Sequence, residues 1–188
     1  MPRDTSIFAR GAVIVPDFVT PAEEARILLR IAEAPWLSEL SRRVQHYGYR
    51  YAYRGGGSRE PAPAFPRWAD VMAERLRPQF GGALPVQCIV NEYRPGQGIG
   101  MHADHPDFGP VVASLSLGAD WPMRFRPRAT RPYAAGALPG DEVALLPRRS
   151  VLVLAGDARH RWMHGIDRGT SAREPATRIS ATFRTLAP

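Results

Sequence analysis

Apolar positions along the chain change their period once. "AVIVPDF" (12–18) reads as a short strand, and "TPAEEARILLRIAEAP" behind it repeats at helical spacing through Ala25, Leu28, Leu29 and Ala32. Thr20 is a candidate N-cap, Pro21 stands at the first helical position, and Glu23 at the third completes a capping box. A second helix is predicted in "PRWADVMAERLR" (66–77), with Trp68, Val71, Met72 and Leu76 on one face. From residue 85 the pattern turns into short strand-like runs: 85–93, 110–118, 122–126, 142–147, 150–156 and 177–184. Gly, Pro and Asp turns such as "RPGQG" and "LPGD" separate them. Two helices followed by about six short strands predict an α+β, mostly β fold of sandwich or double-sheet jelly-roll type. "RPRATRPYAAGALPG" (126–140) reads as a basic surface loop.

One stretch follows neither period simply. In "QHYGYRYAYRGGG" (45–57), Tyr47, Tyr49, Tyr51 and Tyr53 alternate strictly, so in a continuous strand they share a face opposite His46, Arg50 and Arg54. Such a face is either the buried side of a hairpin or an aromatic, basic surface that stacks a nucleobase.

Composition narrows the class. The 188 residues are 44% hydrophobic, enough for one domain with a sizeable core. No apolar run approaches the roughly 18–20 residues that span a membrane, and "MPRDTSIFAR" lacks the apolar stretch of a signal peptide. Cys88 is the one cysteine, which excludes an internal disulfide and a thiolate zinc cage. A monomeric cytoplasmic protein is the default expectation. The net charge of +7 favours polyanionic partners, nucleic acid first. All 25 basic residues are arginine; in a chain rich in Ala, Gly and Pro this has the look of genomic base composition rather than phosphate recognition.

Candidate chemistry concentrates in "IGMHADHPDFG" (99–109). If residues 99–104 are extended, His102 and Asp104 point the same way, whereas His105 points away and Pro106 ends the strand before Asp107. A 2-His-1-carboxylate facial triad, the arrangement that leaves coordination positions open on Fe(II), needs one more histidine. His160 and His164 both follow "SVLVLAG", and spacing alone does not choose between them; His46 lies in the tyrosine-rich stretch. Further along, Arg178 and Arg184 are six apart on one strand face, with Cα atoms roughly 20 Å apart. Their inward-leaning guanidinium groups leave a gap of roughly 6–8 Å, the span of a short dicarboxylate. A zinc hydrolase could share the His₂-carboxylate set, but no "HExxH"-type base is present and the arginine pair goes unexplained. A metal-free binding module would lack at least one member of the set.

Taken in order, "NEYRPGQGIGMHAD" (91–104), "ASLSLG" (113–118), "WMHGI" (162–166) and "RISATFR" (178–184) resemble the AlkB-type Fe(II)/2-oxoglutarate-dependent dioxygenases. The resemblance covers about residues 85–185. It implies one domain over 1–188, with N-terminal helices and a substrate lid or nucleotide-recognition hairpin in 1–84 and a double-stranded β-helix core in 85–185. It implies His102, Asp104 and His164 as iron ligands. Arg178 with Tyr93 would hold the distal carboxylate of 2-oxoglutarate, Asn91 and Arg184 would lie near its keto-acid end, and Ser180 would add a polar contact. Tyr47, Tyr49, Tyr51, His105 and Asp107 become substrate-side candidates, with Tyr53 and Arg54 peripheral. The implied cofactors are Fe(II), 2-oxoglutarate as co-substrate, and O₂. The implied activity is oxidative removal of N-methyl groups from bases of single-stranded or base-flipped DNA or RNA, DNA repair in the first instance. The chain departs from DNA-repair members at Pro106, where they carry an acidic residue; Asp107 comes one position later. "HPDFG" and "QHYGYRY" look closer to members acting on RNA or other substrates. Hydroxylation of a small molecule or protein side chain is the alternative with the same iron site.

Overall fold

A computed structural model describes residues 5–6, 11–38, 41–51, 59–128, 141–168 and 176–187. In chain order the elements are β1 (Thr5–Ser6), β2 (Ala12–Val15), α1 (Pro21–Glu33), β3 (Val44–Tyr47), β4 (Tyr49–Tyr51), β5 (Arg59–Pro61) and α2 (Arg67–Leu76). A 3₁₀ turn (Arg77–Phe80) leads into β6 (Gln87–Tyr93), β7 (Ile99–His102), β8 (Phe108–Leu117), β9 (Trp121–Pro127) and β10 (Glu142–Leu146). The chain closes with β11 (Val151–Leu154), α3 (Gly156–His160), β12 (Trp162–Ile166) and β13 (Arg178–Leu186). Tyr53 and Arg54, and most of the basic loop at 126–140, lie outside the described residues.

Two antiparallel sheets carry the fold among the described residues. The larger runs β1-β2-β11-β8-β13-β6-β3 and the smaller β10-β9-β12-β7, with β4 and β5 as a separate pair. The mostly β, double-sheet expectation holds. Alternation along each strand divides the core in two. Val151 and Val153 of β11, Leu115 of β8 and Phe183 of β13 face outward onto Ile27 and Ile31 of α1 and Met72 and Leu76 of α2. Leu152 and Leu154, one residue out of phase, face inward onto Trp121, Met123 and Phe125 of β9 and Trp162 of β12. The helices therefore cover the outer face of the large sheet, and the space between sheets is left for the site.

Both predicted helices form. The Thr20 hydroxyl accepts from the Glu23 N–H (3.2 Å) and the Glu23 carboxylate from the Thr20 N–H (2.8 Å), closing the capping box. The buried stripe of α1 differs from the predicted one: Glu24, Ile27 and Ile31 are buried, while Leu29 is exposed. Glu24 can occupy it because Gly118 N–H (2.9 Å) and Arg148 (2.6 Å) satisfy its carboxylate. On α2, Met72 and Leu76 are buried as expected, Trp68 is partly buried, and Val71 is exposed.

The tyrosine period is broken at Gly48, whose φ of +77° is left-handed and whose Cβ would fall 2.0 Å from the Val86 carbonyl oxygen. The chain leaves the large sheet there. β3 pairs with β6, β4 pairs with β5, and Tyr47 and Tyr49 end up in different sheets.

Candidate active site

Strand phase decides which side chains meet between the sheets. On β13 the even positions Arg178, Ser180, Thr182 and Arg184 point inward; on β6 the odd ones do. Antiparallel register sets Arg178 against Tyr93, Ser180 against Asn91 and Arg184 against Gln87. β8 adds Ser116 opposite Ser180 and Ser114 opposite Thr182, the latter two hydroxyls 3.1 Å apart. From the small sheet come His102 of β7 and His164 of β12, paired directly across the ladder. All the predicted metal and co-substrate residues thus border one cavity.

β7 ends at His102, so Asp104 does not reach the cavity by strand alternation as expected. A register shift between β7 and β12 aligns His164 with His102 but Ile166 with Ile99, giving β7 one extra residue. This bulge lets both Ile99 and His102 face inward. Gly165 permits the close approach: a Cβ there would stand 2.9 Å from the Ile99 carbonyl oxygen. Asp104 sits in the following turn, its Oδ1 accepting from Arg184 Nε (2.7 Å) and Nη2 (2.5 Å).

The donor set fits a divalent cation. Asp104 Oδ2 is buried, accepts no hydrogen bond among the described residues, and lies 3.7 Å from His164 Nε2. The His102 and His164 rings are 4.5 Å apart at their centroids. His102 Nδ1 is 2.9 Å from the Gly100 carbonyl oxygen; a carbonyl only accepts, which assigns the proton to Nδ1 and leaves the Nε2 lone pair free. Burial pushes His164 down to about 4, so it is neutral at physiological pH. Burial is the largest single influence on the Asp104 carboxyl and would raise it, but the Arg184 charge and hydrogen bond together with His164 and His102 outweigh burial and hold the group well below the usual carboxylate range. As the side chains stand, no three His, Cys, Asp or Glu groups among the described residues are drawn in to coordination distance of a common point. Asp104 Oδ2 and His164 Nε2, 3.7 Å apart, would have to draw closer to share one cation.

The two arginines are not equivalent. Arg184 already neutralises Asp104 and also donates to Gln87 Oε1 (3.1 Å), so the expected symmetrical clamp of one carboxylate per guanidinium does not form. Arg178 is 1% exposed, donates to the Ser116 hydroxyl (2.9 Å) and lies 5.5 Å from the centre of the Tyr93 ring. Among the described residues no carboxylate pairs with it, and its Nε has no hydrogen-bond partner. Burial pushes it down to about 10, still protonated at neutral pH. A buried, unpaired cation of this kind is costly without an anion. Arg178 is therefore the feature that fits a co-substrate carboxylate.

Sequence reasoning missed several residues here. Arg42 borders the cavity, donates to Asn91 Oδ1 (2.9 Å) and lies 5.6 Å from the Tyr93 ring centre. Gln87 links Arg184 to the Tyr49 carbonyl (3.0 Å), and Ser116 orients Arg178. "SLS" in β8 could have flagged Ser116; no pattern marks Arg42 or Gln87.

The substrate-side candidates separate. Tyr47 is a core residue, 8% exposed, edge-on to Trp68 and bonded to Gln45 Oε1 (3.0 Å). Its assignment to a base pocket is corrected: at the end of β3 it faces the helices. Tyr49 is half-buried on β4 and does not border the cavity. The Tyr51 side chain lies outside the described residues. His105 borders a second, open hollow beside the cavity, together with Arg42, Met101, His102 and Phe108. Asp107 stands outside that hollow, its N–H donating to His105 Nδ1 (3.2 Å).

Comparison with known proteins agrees with this geometry. Residues 32–184 match the 2OG-Fe(II) oxygenase superfamily, and the fold superposes on OsALKBH1 over 97% of this chain at a TM-score of 0.71 with 16% identity. The chain belongs to the 2OG-Fe(II) oxygenase superfamily, whose members use Fe(II), 2-oxoglutarate and O₂. It is 31% identical to mouse "Alpha-ketoglutarate-dependent dioxygenase alkB homolog 4", over 94% of this chain and 67% of that protein. It is 32% identical to the Arabidopsis thaliana "Alkylated DNA repair protein ALKBH8 homolog", over 96% of this chain and 60% of the relative. It is 36% identical to the Xenopus tropicalis "tRNA (carboxymethyluridine(34)-5-O)-methyltransferase alkbh8", over 83% of this chain but 25% of that longer protein. Within the superfamily it is an AlkB-type dioxygenase.

Proposed function

We propose that this protein oxidatively removes N-methyl groups from nucleic-acid bases, as a single dioxygenase domain. In this reading His102, Asp104 and His164 hold Fe(II); Arg178 and Tyr93 take the distal carboxylate of 2-oxoglutarate; Asn91, Ser180 and Arg184 flank the end nearer the metal. The observation that carries it is the coincidence, in one buried cavity, of a guanidinium with no carboxylate partner among the described residues and an unsatisfied carboxylate oxygen beside two histidine rings. Bound iron and 2-oxoglutarate supply the oxidising chemistry, in which O₂ is consumed, 2-oxoglutarate becomes succinate and CO₂, and a substrate C–H bond is hydroxylated. The hydroxymethyl amine then releases formaldehyde and the unmethylated base.

The chain's own residues supply position and charge. Arg184 fixes Asp104 through Oδ1 and so aims Oδ2 at the metal position. The Gly100 carbonyl holds His102 in the tautomer that presents Nε2. The open hollow along Met101, His105 and Phe108 gives a base its approach, and Arg42 at its edge supplies positive charge for a phosphate. The net charge of +7 supports a polyanionic substrate.

Demethylation of DNA, in repair, is one form of this reading. An RNA substrate is favoured by Pro106, which stands where DNA-repair members carry an acidic residue, and by the tRNA named in the Xenopus relative. Incubating the protein with Fe(II), ascorbate and 2-oxoglutarate against single-stranded DNA and RNA carrying 1-methyladenine or 3-methylcytosine tests both. The expected result is substrate-stimulated succinate with equimolar formaldehyde on at least one member. Demethylation of none would sink the nucleic-acid reading.

A further inference from the structure

Arg159 stands outside the cavity, and no function described above uses it. It is 4% exposed, on α3, five residues before His164. Its guanidinium reaches four main-chain carbonyls across the turn after β7 and the first residues of β8: Asp104 (3.0 Å), His105 (2.9 Å), Phe108 (3.2 Å) and Gly109 (3.3 Å). That turn carries Asp104 and forms a wall of the open hollow. Its other main-chain ties include the His105 carbonyl accepting from Phe108 N–H (3.1 Å), the Asp107 carbonyl accepting from Ala187 N–H (2.8 Å) and the pairing of Phe108 with Leu186 of β13.

A buried guanidinium satisfied by carbonyls rather than by a carboxylate serves geometry more than charge balance, because its planar fork fixes several acceptors at once. The acceptors belong to the segment bearing Asp104, and the donor to the segment leading into His164. The Asp104 side chain is held by Arg184 from β13, and its main chain by Arg159 from α3.

We infer that Arg159 is a positioning residue that locks the 104–109 turn and thereby sets the distance between the Asp104 and His164 arms of the metal site. The inference rests on the metal reading proposed above. It predicts that loss of Arg159 weakens the metal site and loosens the turn, and leaves the Arg178 end alone, since Arg178, Ser116 and Tyr93 lie on β13, β8 and β6.

The test titrates Co(II) calorimetrically into metal-free protein under anaerobic conditions. Wild type should bind one Co(II) per chain and His102→Ala should lose that binding; wild type failing to bind would overturn the metal reading and this inference with it. Arg159→Met should raise the Co(II) dissociation constant by about tenfold to a hundredfold, the usual cost of losing an outer support. Amide hydrogen exchange should accelerate in 104–109 and stay unchanged in β6 and β13. Titrated into Co(II)-saturated protein, 2-oxoglutarate should bind Arg159→Met as it binds wild type. Arg159→Lys reaches fewer carbonyls and should lie between the two at an unchanged melting temperature, which keeps the test decisive if Arg159→Met fails to fold. Arg161→Ala, at an exposed arginine two residues on, should bind Co(II) as wild type does. If wild type binds Co(II) and either Arg159 variant matches it with unchanged exchange, the inference falls alone.

Discussion

Arg178 shows at the scale of one residue how function opposes stability. Its guanidinium is buried beside Tyr93 with a hydroxyl as its hydrogen-bond partner, a poor exchange for water unless an anion arrives. Arg178→Met should therefore weaken 2-oxoglutarate binding by about thirtyfold or more, from a lost buried charge pair worth about 2–5 kcal/mol. Calorimetry with Mn(II)-loaded protein checks this. The same variant should keep or raise the melting temperature of the metal-free protein; a fall of many degrees would mean that Arg178 is structural. The residues proposed for metal and co-substrate could be picked out in the sequence because each lies in a short motif, although Asp104 sits in the turn after β7 and the family resemblance, not spacing, separates His164 from His160. Arg42, Gln87 and Arg159 could not be, because each acts on a partner 49 to 97 positions away, through strand register or a turn that no local pattern reveals. Tyr47 was misread for the opposite reason: alternation was carried across Gly48, where the backbone turns left-handed.

Elements differ in how openly the sequence declares them. The two helices are announced by caps and periodicity, although the buried stripe of α1 was displaced by a carboxylate that finds partners. β7 and β12 escaped the hydrophobic pattern because their inward positions hold His102 and His164 and because Gly165 gives β12 its close approach to the Ile99 backbone. Polar residues facing inward mark the places where patterning fails for functional reasons. The α1 cap yields a stability prediction. Thr20→Ala should cost about 1 kcal/mol and lower the melting temperature by a few degrees without changing metal binding. Thermal melts with and without Co(II) measure it. The Arg75 hydrogen bond, with that from the Thr20 N–H, holds the Glu23 carboxyl down at about 2. A carboxylate lowered on folding stabilises the protein above its unfolded value of 4.5, and that contribution fades as pH falls toward 2. The difference in stability between wild type and Glu23→Gln should accordingly shrink over that range. Exposure of both partners keeps the effect small. A difference that stays constant from pH 6 to pH 2.5 would contradict the assignment.

At the scale of the whole molecule, two sheets enclose the chemistry, helices close the outer face of the larger one, and the opening lies beside β7. The chain carries a net charge of +7, all of its basic residues arginine. Oligonucleotide affinity should then fall steeply with salt, the logarithm of the binding constant declining linearly with the logarithm of salt concentration. Arg42→Ala should weaken binding and flatten that slope if Arg42 meets a phosphate, as fluorescence anisotropy at several salt concentrations would show; an unchanged slope would remove it from the interface. In the proposed reading, one cavity between the sheets holds both the metal and the keto acid. The most direct test of that reading is a crystal structure of the protein grown anaerobically with Mn(II) and 2-oxoglutarate. Mn(II) should be bound by His102 Nε2, Asp104 Oδ2 and His164 Nε2, with the distal carboxylate of 2-oxoglutarate on Arg178. Metal bound elsewhere, or 2-oxoglutarate seated away from Arg178, would contradict it.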